Sequence, residues 1–140
     1  MTTSVGTGLL LIIDASVLFE IVADTPDADM LRQILSADTD QAAPHLVDAE
    51  VLSAVQTHHR RGELDQTSAA QAIEDLRSWP GERWPHHLLL RRAWELRNNV
   101  RGCDALYVAL AEALGAPLVT LDKRLASAAG PKCEILVPTV

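Results

Sequence analysis

The hydrophobic pattern of the chain alternates between short apolar runs and longer stretches with helical periodicity. Residues 9–13 are continuously apolar, which is typical of a strand buried on both faces. Residues 118–121 predict a second buried strand, and residues 133–137 predict a last one. A weaker strand signal covers residues 41–43 and is closed by Pro44.

Apolar residues recur at three- and four-residue spacing between these strands, which predicts helices. The predicted helices are 16–22, 27–35, 46–59, 68–76, 88–97, 104–114 and 123–128. Residues 68–71 fit a capping box at the start of the fourth helix, and Gly115 ends the sixth. Residues 80–85 predict a loop, and Trp94 is expected among the core contacts of the fifth helix.

A few strands separated by helices favour parallel pairing through helical crossovers. The expected fold class is therefore α/β, a three-layer α/β/α sandwich with a central, mostly parallel sheet, and residues 1–140 are expected to form one domain. In such sheets, ligands bind beyond the carboxyl ends of the strands. Asp14 and Asp122 both follow predicted strands, so we expect them to share a site.

Four acidic residues lie in otherwise apolar sequence: Asp14, Glu50, Asp104 and Asp122. A buried carboxylate without a partner costs free energy, and a divalent cation would offset that cost because hard cations prefer several oxygen ligands. If the four acids converge, they predict a site for one or two Mg²⁺ or Mn²⁺ ions. Such a site would hydrolyse phosphodiester bonds.

Each acid taken alone also has a structural interpretation. Asp14 can cap the helix that follows it, and Asp104 can be a favourable acid at a helix start. Glu50 can point to solvent, and Asp122 can be a turn residue paired with the basic residues after it. Ser16 can either orient a carboxylate or simply cap a helix. The joint pattern is more specific than any of its members.

Composition and charge narrow the class of protein. The chain is 48% hydrophobic and 22% charged, which is an ordinary globular composition. The net charge of −7 argues against a simple electrostatic nucleic-acid binder, although it does not exclude a nuclease and it suits a basic partner. The N-terminal apolar run is too short for a signal peptide or a membrane span.

The cysteines, histidines and tryptophans do not predict a separate site. Cys103 and Cys133 lack zinc-site spacing and fit a reducing cytoplasm, and the five histidines are expected on the surface. The three tryptophans are expected in the core or an interface rather than as base-stacking platforms. Most arginines are expected to be solvated, with the alternative that Arg97 or Arg101 contacts an RNA backbone.

The segments around the four acids resemble PIN-domain ribonucleases, and most closely the VapC toxins of bacterial VapBC toxin–antitoxin modules. The resemblance rests on residues 12–18, 48–54, 103–111 and 119–126, and it extends over essentially the whole chain. Cys103 is a departure, because these toxins commonly have an aromatic residue at that position. The departure affects local packing and substrate fit rather than the metal chemistry.

The resemblance implies a cytoplasmic, Mg²⁺- or Mn²⁺-dependent endoribonuclease that cuts structured RNA such as tRNA or rRNA. It implies a VapB-type antitoxin that blocks the site, a homodimer, no membrane association, and operator binding only through the antitoxin. By resemblance, Asp14 and Asp104 are the principal metal ligands. Glu50 and Asp122 are the remaining acids of the pocket, and Ser16 is its small hydroxyl residue.

Two other functions remain open on the sequence. A phospho-accepting, Mg²⁺-binding signalling domain would need paired acids at the first strand end, where this chain offers only Asp14. A catalytically silent PIN-like binding module would keep the fold alone, and the complete acidic set argues against it. An Asp-x-Asp phosphatase motif is not formed, because Ser16 takes the place of the second acid.

Overall fold

The computed structural model describes residues 9–36 and 39–139, and a five-stranded sheet lies at its centre. The strands are β1 Leu9–Ile13, β2 Thr39–Pro44, β3 Glu82–Trp84, β4 Leu118–Val119 and β5 Ile135–Leu136. They lie in the order β3-β2-β1-β4-β5, and every neighbouring pair is parallel. The prediction of a central parallel sheet in an α/β fold is confirmed.

In the part of the chain that the structure describes, seven helices surround the sheet. They are α1 Ala15–Val22, α2 Ala28–Ile34, α3 Leu46–Arg60, α4 Gln66–Ser78, α5 Leu90–Glu95, α6 Gly102–Leu114 and α7 Lys123–Ala126. Helix α6 packs directly on the sheet with α5 against it, whereas α1 to α4 pack with one another and reach the sheet through α3. Residues 105–111 of α6 are all buried, so this helix supplies much of the core.

The register places the ends of β1 and β4 side by side. Ile12 pairs with Ala42 of β2 on one side and with Leu118 of β4 on the other. From β1 the chain builds outward to β2 and β3, and it later returns to add β4 and β5 on the opposite side. The strand order therefore reverses between β1 and β4, which is where ligands bind in open parallel sheets.

Two elements differ from the sequence prediction near the middle of the chain. Helix α4 begins at Gln66, two residues earlier than predicted, because Asp65 rather than Ser68 is its cap. The Asp65 side chain accepts the Ser68 N–H at 2.7 Å. The predicted loop 80–85 contains the short strand β3. This strand lies at the sheet edge, where flanking prolines are tolerated.

Trp94 is not a core residue. Its exposed fraction is 67%, because α5 is only six residues long and none of its own residues is buried. Leu89 and Leu96, which flank the helix, are the buried side chains of this region. The prediction of a core position for Trp94 is therefore wrong.

No helix in the described part of the chain is long and apolar enough to cross a membrane. The expectation that the chain carries no signal peptide concerns its N-terminal residues, of which residues 1–8 lie outside the described ranges.

Candidate active site

Asp14 lies at the junction between β1 and α1 and is the most buried acid of the predicted set. One carboxylate oxygen, Oδ1, accepts the Ser16 hydroxyl at 2.6 Å and the Val17 N–H at 3.2 Å. The other, Oδ2, accepts the hydroxyl of Thr120, which is fully buried. Asp14 therefore caps α1, as one interpretation proposed, and its second oxygen is also fixed from β4.

The charge on Asp14 is poorly compensated. Burial raises the pKa of Asp14, the hydrogen bonds from Ser16, Thr120 and Val17 lower it by less, and the like charge of Asp104 raises it further. Among the described residues, no Lys, Arg or His forms an ion pair with this carboxylate. The structure thus holds a costly negative charge in a fixed orientation.

Two hydroxyl groups tie the segment after β4 to the end of β1. The Thr120 hydroxyl accepts the Asp122 N–H at 3.0 Å while donating to Asp14. The Ser16 hydroxyl accepts the Leu121 N–H at 3.1 Å while donating to the same carboxylate. Of the two interpretations offered for Ser16, the orientation of a carboxylate is the one that these contacts support.

Asp104 is the third residue of α6 rather than its first, and it is partly buried. Burial and the charge of Asp122 raise the pKa of Asp104, and the positive charges of Arg101 and Arg124 offset only part of that rise. Asp104 and Asp122 line the same cleft of about 120 Å³, together with both arginines. Three of the four predicted acids are therefore neighbours in space.

Asp122 is better compensated than the other acids. It caps α7 by accepting the Arg124 N–H at 2.9 Å, and its Oδ1 lies 3.4 Å from the Arg124 Nε. Burial raises the pKa of Asp122, but these contacts with Arg124 outweigh it and the net pKa is lowered. The ion pair expected for this residue is present with Arg124, on an exposed surface where such pairs add little stability.

Glu50, on α3, joins the set through Tyr107 of α6. The Tyr107 hydroxyl donates to the Glu50 Oε1 at 2.6 Å, and the tyrosine side chain is almost fully buried. Burial raises the pKa of Tyr107, as do its bond to Glu50 and the charges of Asp14 and Asp104. One phenol thus lies within electrostatic range of three acids.

Sequence reasoning missed Tyr107. A signal was available, because it is the only tyrosine in the chain and follows Asp104 by three residues on the same predicted helix. Residues spaced by three share a helix face. A polar hydroxyl on a largely apolar helix face would have indicated a hydrogen-bonded partner at the site.

The acids converge without enclosing a ready cavity for an ion. Among residues 9–36 and 39–139, no three His, Cys, Asp or Glu side chains are grouped closely enough to hold a metal as they stand. The donor set nevertheless fits a divalent cation by its chemistry. It is made of carboxylates, and the pKa values of Asp14 and Asp104 are raised by burial and by like charge, which a cation would relieve.

Other residues considered at the sequence level lie outside this set. The Arg97 guanidinium packs over Trp94 at 4.3 Å from the ring centroid. His58 packs against Phe19, and His86 accepts the Leu46 N–H at 2.9 Å through its Nε2, so these two histidines are half-buried rather than on the surface as expected. Both cysteines are free thiols.

The comparison with family models matches residues 11–131 to the PIN domain, a span that includes all four acids. This chain belongs to the PIN-domain family. Ribonuclease VapC1 of Mycobacterium tuberculosis is 38% identical to this PIN domain over 125 residues, which cover 89% of this chain and 94% of that protein. Ribonuclease VapC3 of the same organism is 41% identical over 117 residues, covering 84% and 85%. The predicted resemblance to VapC ribonucleases is confirmed.

Solved structures agree with this assignment. PAE2754 from Pyrobaculum aerophilum superimposes on this PIN domain with a TM-score of 0.63 at 26% identity, covering 91% of this chain and 83% of that one. VapBC2 from Rickettsia felis, solved bound to a promoter DNA fragment, gives a TM-score of 0.68 at 17% identity, covering 94% and 100%. At that low identity, the second match supports the fold alone.

Proposed function

We propose that this PIN domain is the toxin of a VapBC-type toxin–antitoxin module, and that it is a Mg²⁺- or Mn²⁺-dependent endoribonuclease. One observation carries the proposal. Asp14 is buried with both oxygens held by hydroxyl and amide donors, and the negative charge of Asp104 raises its pKa further. A fold would not retain such a charge for stability, whereas a cation-binding site requires it.

The four acids have unequal parts in the proposed site. Asp14 and Asp104 would hold the metal, and Glu50 and Asp122 would complete its surroundings after moving closer to it. A bound divalent ion would supply an activated water and would stabilise charge on the attacking and leaving oxygens of the phosphodiester. Because Asp122 is partly neutralised by Arg124, its contribution is expected to be the smallest.

The remaining residues of the site would either orient its carboxylates or attract the phosphodiester. Ser16 and Thr120 keep the Asp14 carboxylate in one orientation, and Tyr107 does the same for Glu50. Arg101 and Arg124 lie on the walls of the cleft beside Asp104. Their positive charges would draw a phosphodiester toward acids that would otherwise repel it.

The relatives support the choice of substrate and partner. The VapC proteins of Mycobacterium tuberculosis that align with this chain are named ribonucleases, which favours RNA. A VapB-type antitoxin is proposed because the aligned relatives are VapC proteins, and solved complexes of the same fold contain a toxin with its antitoxin. A basic antitoxin side chain would neutralise the acidic pocket, and operator DNA would be bound only through the antitoxin. A homodimer remains an expectation from the family.

A cleavage assay with purified protein tests the proposal. Wild type is incubated with tRNA or rRNA in Mn²⁺ and in EDTA, beside Asp104→Asn and the matched surface control Asp75→Asn, and Mn²⁺ binding is measured by calorimetry. We expect cleavage and Mn²⁺ binding by wild type and the control, and neither by Asp104→Asn. Cleavage by wild type in EDTA, or undiminished cleavage by Asp104→Asn, would contradict the proposal.

The same samples test the two alternatives. Incorporation of phosphate from acetyl phosphate at Asp14 would favour a phospho-accepting signalling domain. Failure of wild type to bind Mn²⁺ at neutral pH would favour a catalytically silent binding module. Neither result is expected, because both oxygens of Asp14 are already hydrogen-bonded and the acidic set is complete.

A further inference from the structure

Trp94 and Arg97 form an ordered pair on the protein surface. The indole is 67% exposed, and the Arg97 guanidinium packs over its ring at 4.3 Å from the centroid. Arg97 also donates to the Trp94 carbonyl at 3.0 Å, which fixes the guanidinium over the ring. We call these two residues the Trp94 platform. A single exposed apolar side chain is ordinary on a protein surface, and what distinguishes this one is the cation that is fixed over its ring.

A short segment of hydrogen-bonded turns joins the Trp94 platform to the cleft of the proposed active site. Leu96 and Val100 are buried, and the Val100 N–H donates to the Leu96 carbonyl at 2.9 Å. Arg101 follows directly and lines the cleft with Asp104. Arg97 of the platform is only two residues before Asn99, which lines the same cleft.

This segment has the opposite charge from the molecule as a whole. The chain carries a net charge of −7, yet residues 91–101 contain four arginines and one acid. Arg92 pairs with Glu95 and Glu112, which uses the only acid of the segment. In the described part of the chain, Arg91, Arg97 and Arg101 form no ion pair.

We propose that the Trp94 platform docks single-stranded RNA next to the cleft. An unpaired base stacks on the exposed indole, and Arg97 and Arg101 hold the phosphates that lead toward Asp104. Base–aromatic stacking together with backbone-tracking cations is how proteins hold single strands, and a double helix does not offer its base faces for it. The inference rests on the proposed function, because it takes RNA as the substrate.

The charge of the arginines around the Trp94 platform favours RNA over a second copy of the chain as the partner that binds there. Leu88 and Leu90 are also exposed, so an apolar protein surface is the competing partner. In a two-fold dimer the same patch meets itself, so the unpaired arginines of both copies would face each other. Like charges across an interface oppose association, whereas a polyanion neutralises them.

RNA affinity, measured without catalysis, tests the platform. A fluorescently labelled single-stranded RNA of ten nucleotides is titrated in EDTA with wild type, Trp94→Ala, Trp94→Phe, Arg97→Gln and the surface control Arg60→Gln. We expect Trp94→Ala to raise the Kd roughly 5- to 100-fold, with Trp94→Phe retaining most of the affinity. Arg97→Gln should lower the slope of log Kd against log salt by about one, and Arg60→Gln should match wild type.

The controls separate this inference from the proposed function. Thermal unfolding checks that each variant is folded, and light scattering gives its molar mass. An unchanged Kd for Trp94→Ala overturns the platform, and a fall in molar mass in that variant assigns the patch to a protein interface instead. If wild type binds RNA through Trp94 but does not cut it in Mn²⁺, the platform stands and the proposed activity fails.

Discussion

Asp14, between β1 and α1, and Glu112, on α6, both carry largely buried carboxylates. The charges of the groups around the two carboxylates differ. The Glu112 side chain is 14% exposed and is bound by Arg92 Nε at 2.6 Å, Arg92 Nη2 at 3.1 Å and the Lys132 N–H at 2.8 Å. Burial raises the pKa of Glu112, but these donors outweigh it and the net pKa is lowered. Within the described ranges, Asp14 accepts hydrogen bonds only from hydroxyl and amide donors, and its pKa is raised.

The difference shows that burial alone does not indicate function. The Glu112 charge stabilises the fold, because Arg92 also donates to the Gly130 carbonyl and so ties the C-terminal segment to α6. The raised pKa of Asp14 means that its charged form costs stability, and the cation of the proposed site would offset that cost. An uncompensated carboxylate in a cleft is therefore the better sign of a binding site.

Substitutions of Asp14 and Glu112 should differ most in the rate of RNA cleavage. We expect Asp14→Asn to lower RNA cleavage by more than about 100-fold, since even the outer-shell partners of metal ligands cost 10- to 100-fold when removed. Glu112→Gln should cleave in proportion to its folded fraction. Single-turnover cleavage rates in Mn²⁺ measure both. Equal losses of cleavage rate in the two variants would show that Asp14 and Glu112 do not differ in their importance for cleavage.

The second largest effect is expected in the free energy of unfolding, where substitution of Glu112 should cost more than substitution of Asp14. Glu112→Gln removes the charge from the bidentate pair and leaves Arg92 without its main partner, so we expect the free energy of unfolding to fall by about 2 kcal/mol. The estimate is below that for a fully buried pair, because Arg92 is partly exposed. Urea unfolding measures it, with Glu74→Gln at an exposed pair as the control. If Glu112→Gln lost no more stability than Glu74→Gln, the Glu112 ion pair would contribute no more than an exposed one.

Tyr107→Phe should have an intermediate effect on the metal site. The variant keeps the buried ring and removes only the hydroxyl that donates to Glu50, so folding should be preserved. We expect about 10-fold weaker Mn²⁺ affinity in calorimetry, since Glu50 loses the donor that orients it. Unchanged affinity and cleavage would show that Glu50 needs no such support.

The smallest expected effect is a gain in stability for Asp14→Asn in EDTA. A raised pKa means that the folded state binds more protons than the unfolded state, so wild-type stability falls as pH rises from the unfolded pKa to the folded one. Asparagine keeps one oxygen for the helix cap and carries no charge, although its N–H₂ group cannot accept the Thr120 hydroxyl as Oδ2 does. The variant should therefore exceed wild type at neutral pH by on the order of 1 kcal/mol, or about 3 °C in Tm.

This gain should disappear at acidic pH, where both forms are uncharged. Thermal unfolding between pH 3 and pH 8 measures the difference between the two proteins and cancels the contribution of the other carboxylates. Added Mn²⁺ should stabilise wild type and not the variant. A variant less stable than wild type at every pH would mean that the Asp14 charge supports the fold.

The fold was predictable because its strongest signals are local. The apolar run Leu9–Ile13 predicts a buried strand, and strand ends followed by Asp14 and Asp122 predict a shared edge of the sheet. Family resemblance ranked the four acids, and their roles as ligands stay a prediction. Local pattern was less reliable for the cap of α4, where Asp65 and Ser68 are both good capping residues and only the structure distinguishes them.

The individual side-chain partners of distant residues were out of reach of the sequence. Tyr107 and Glu50 are 57 positions apart, and nothing in either segment identifies one as the partner of the other. Helical periodicity also does not say which helix face the rest of the protein covers. The prediction for Trp94 failed for that reason. Helix α5 is present, but none of its six residues is buried.

The bond between Thr120 and Asp14 joins residues 106 positions apart, and the acids between them come from α3 and α6. Synthesis proceeds from the N-terminus, so Asp14 emerges from the ribosome long before Asp104, and Asp122 comes later still. A nascent chain that has not yet produced β4 has neither the strand that fixes Asp14 nor the full set of acids. The candidate site is therefore assembled late in synthesis, and a shortened chain that ends before β4 would lack it.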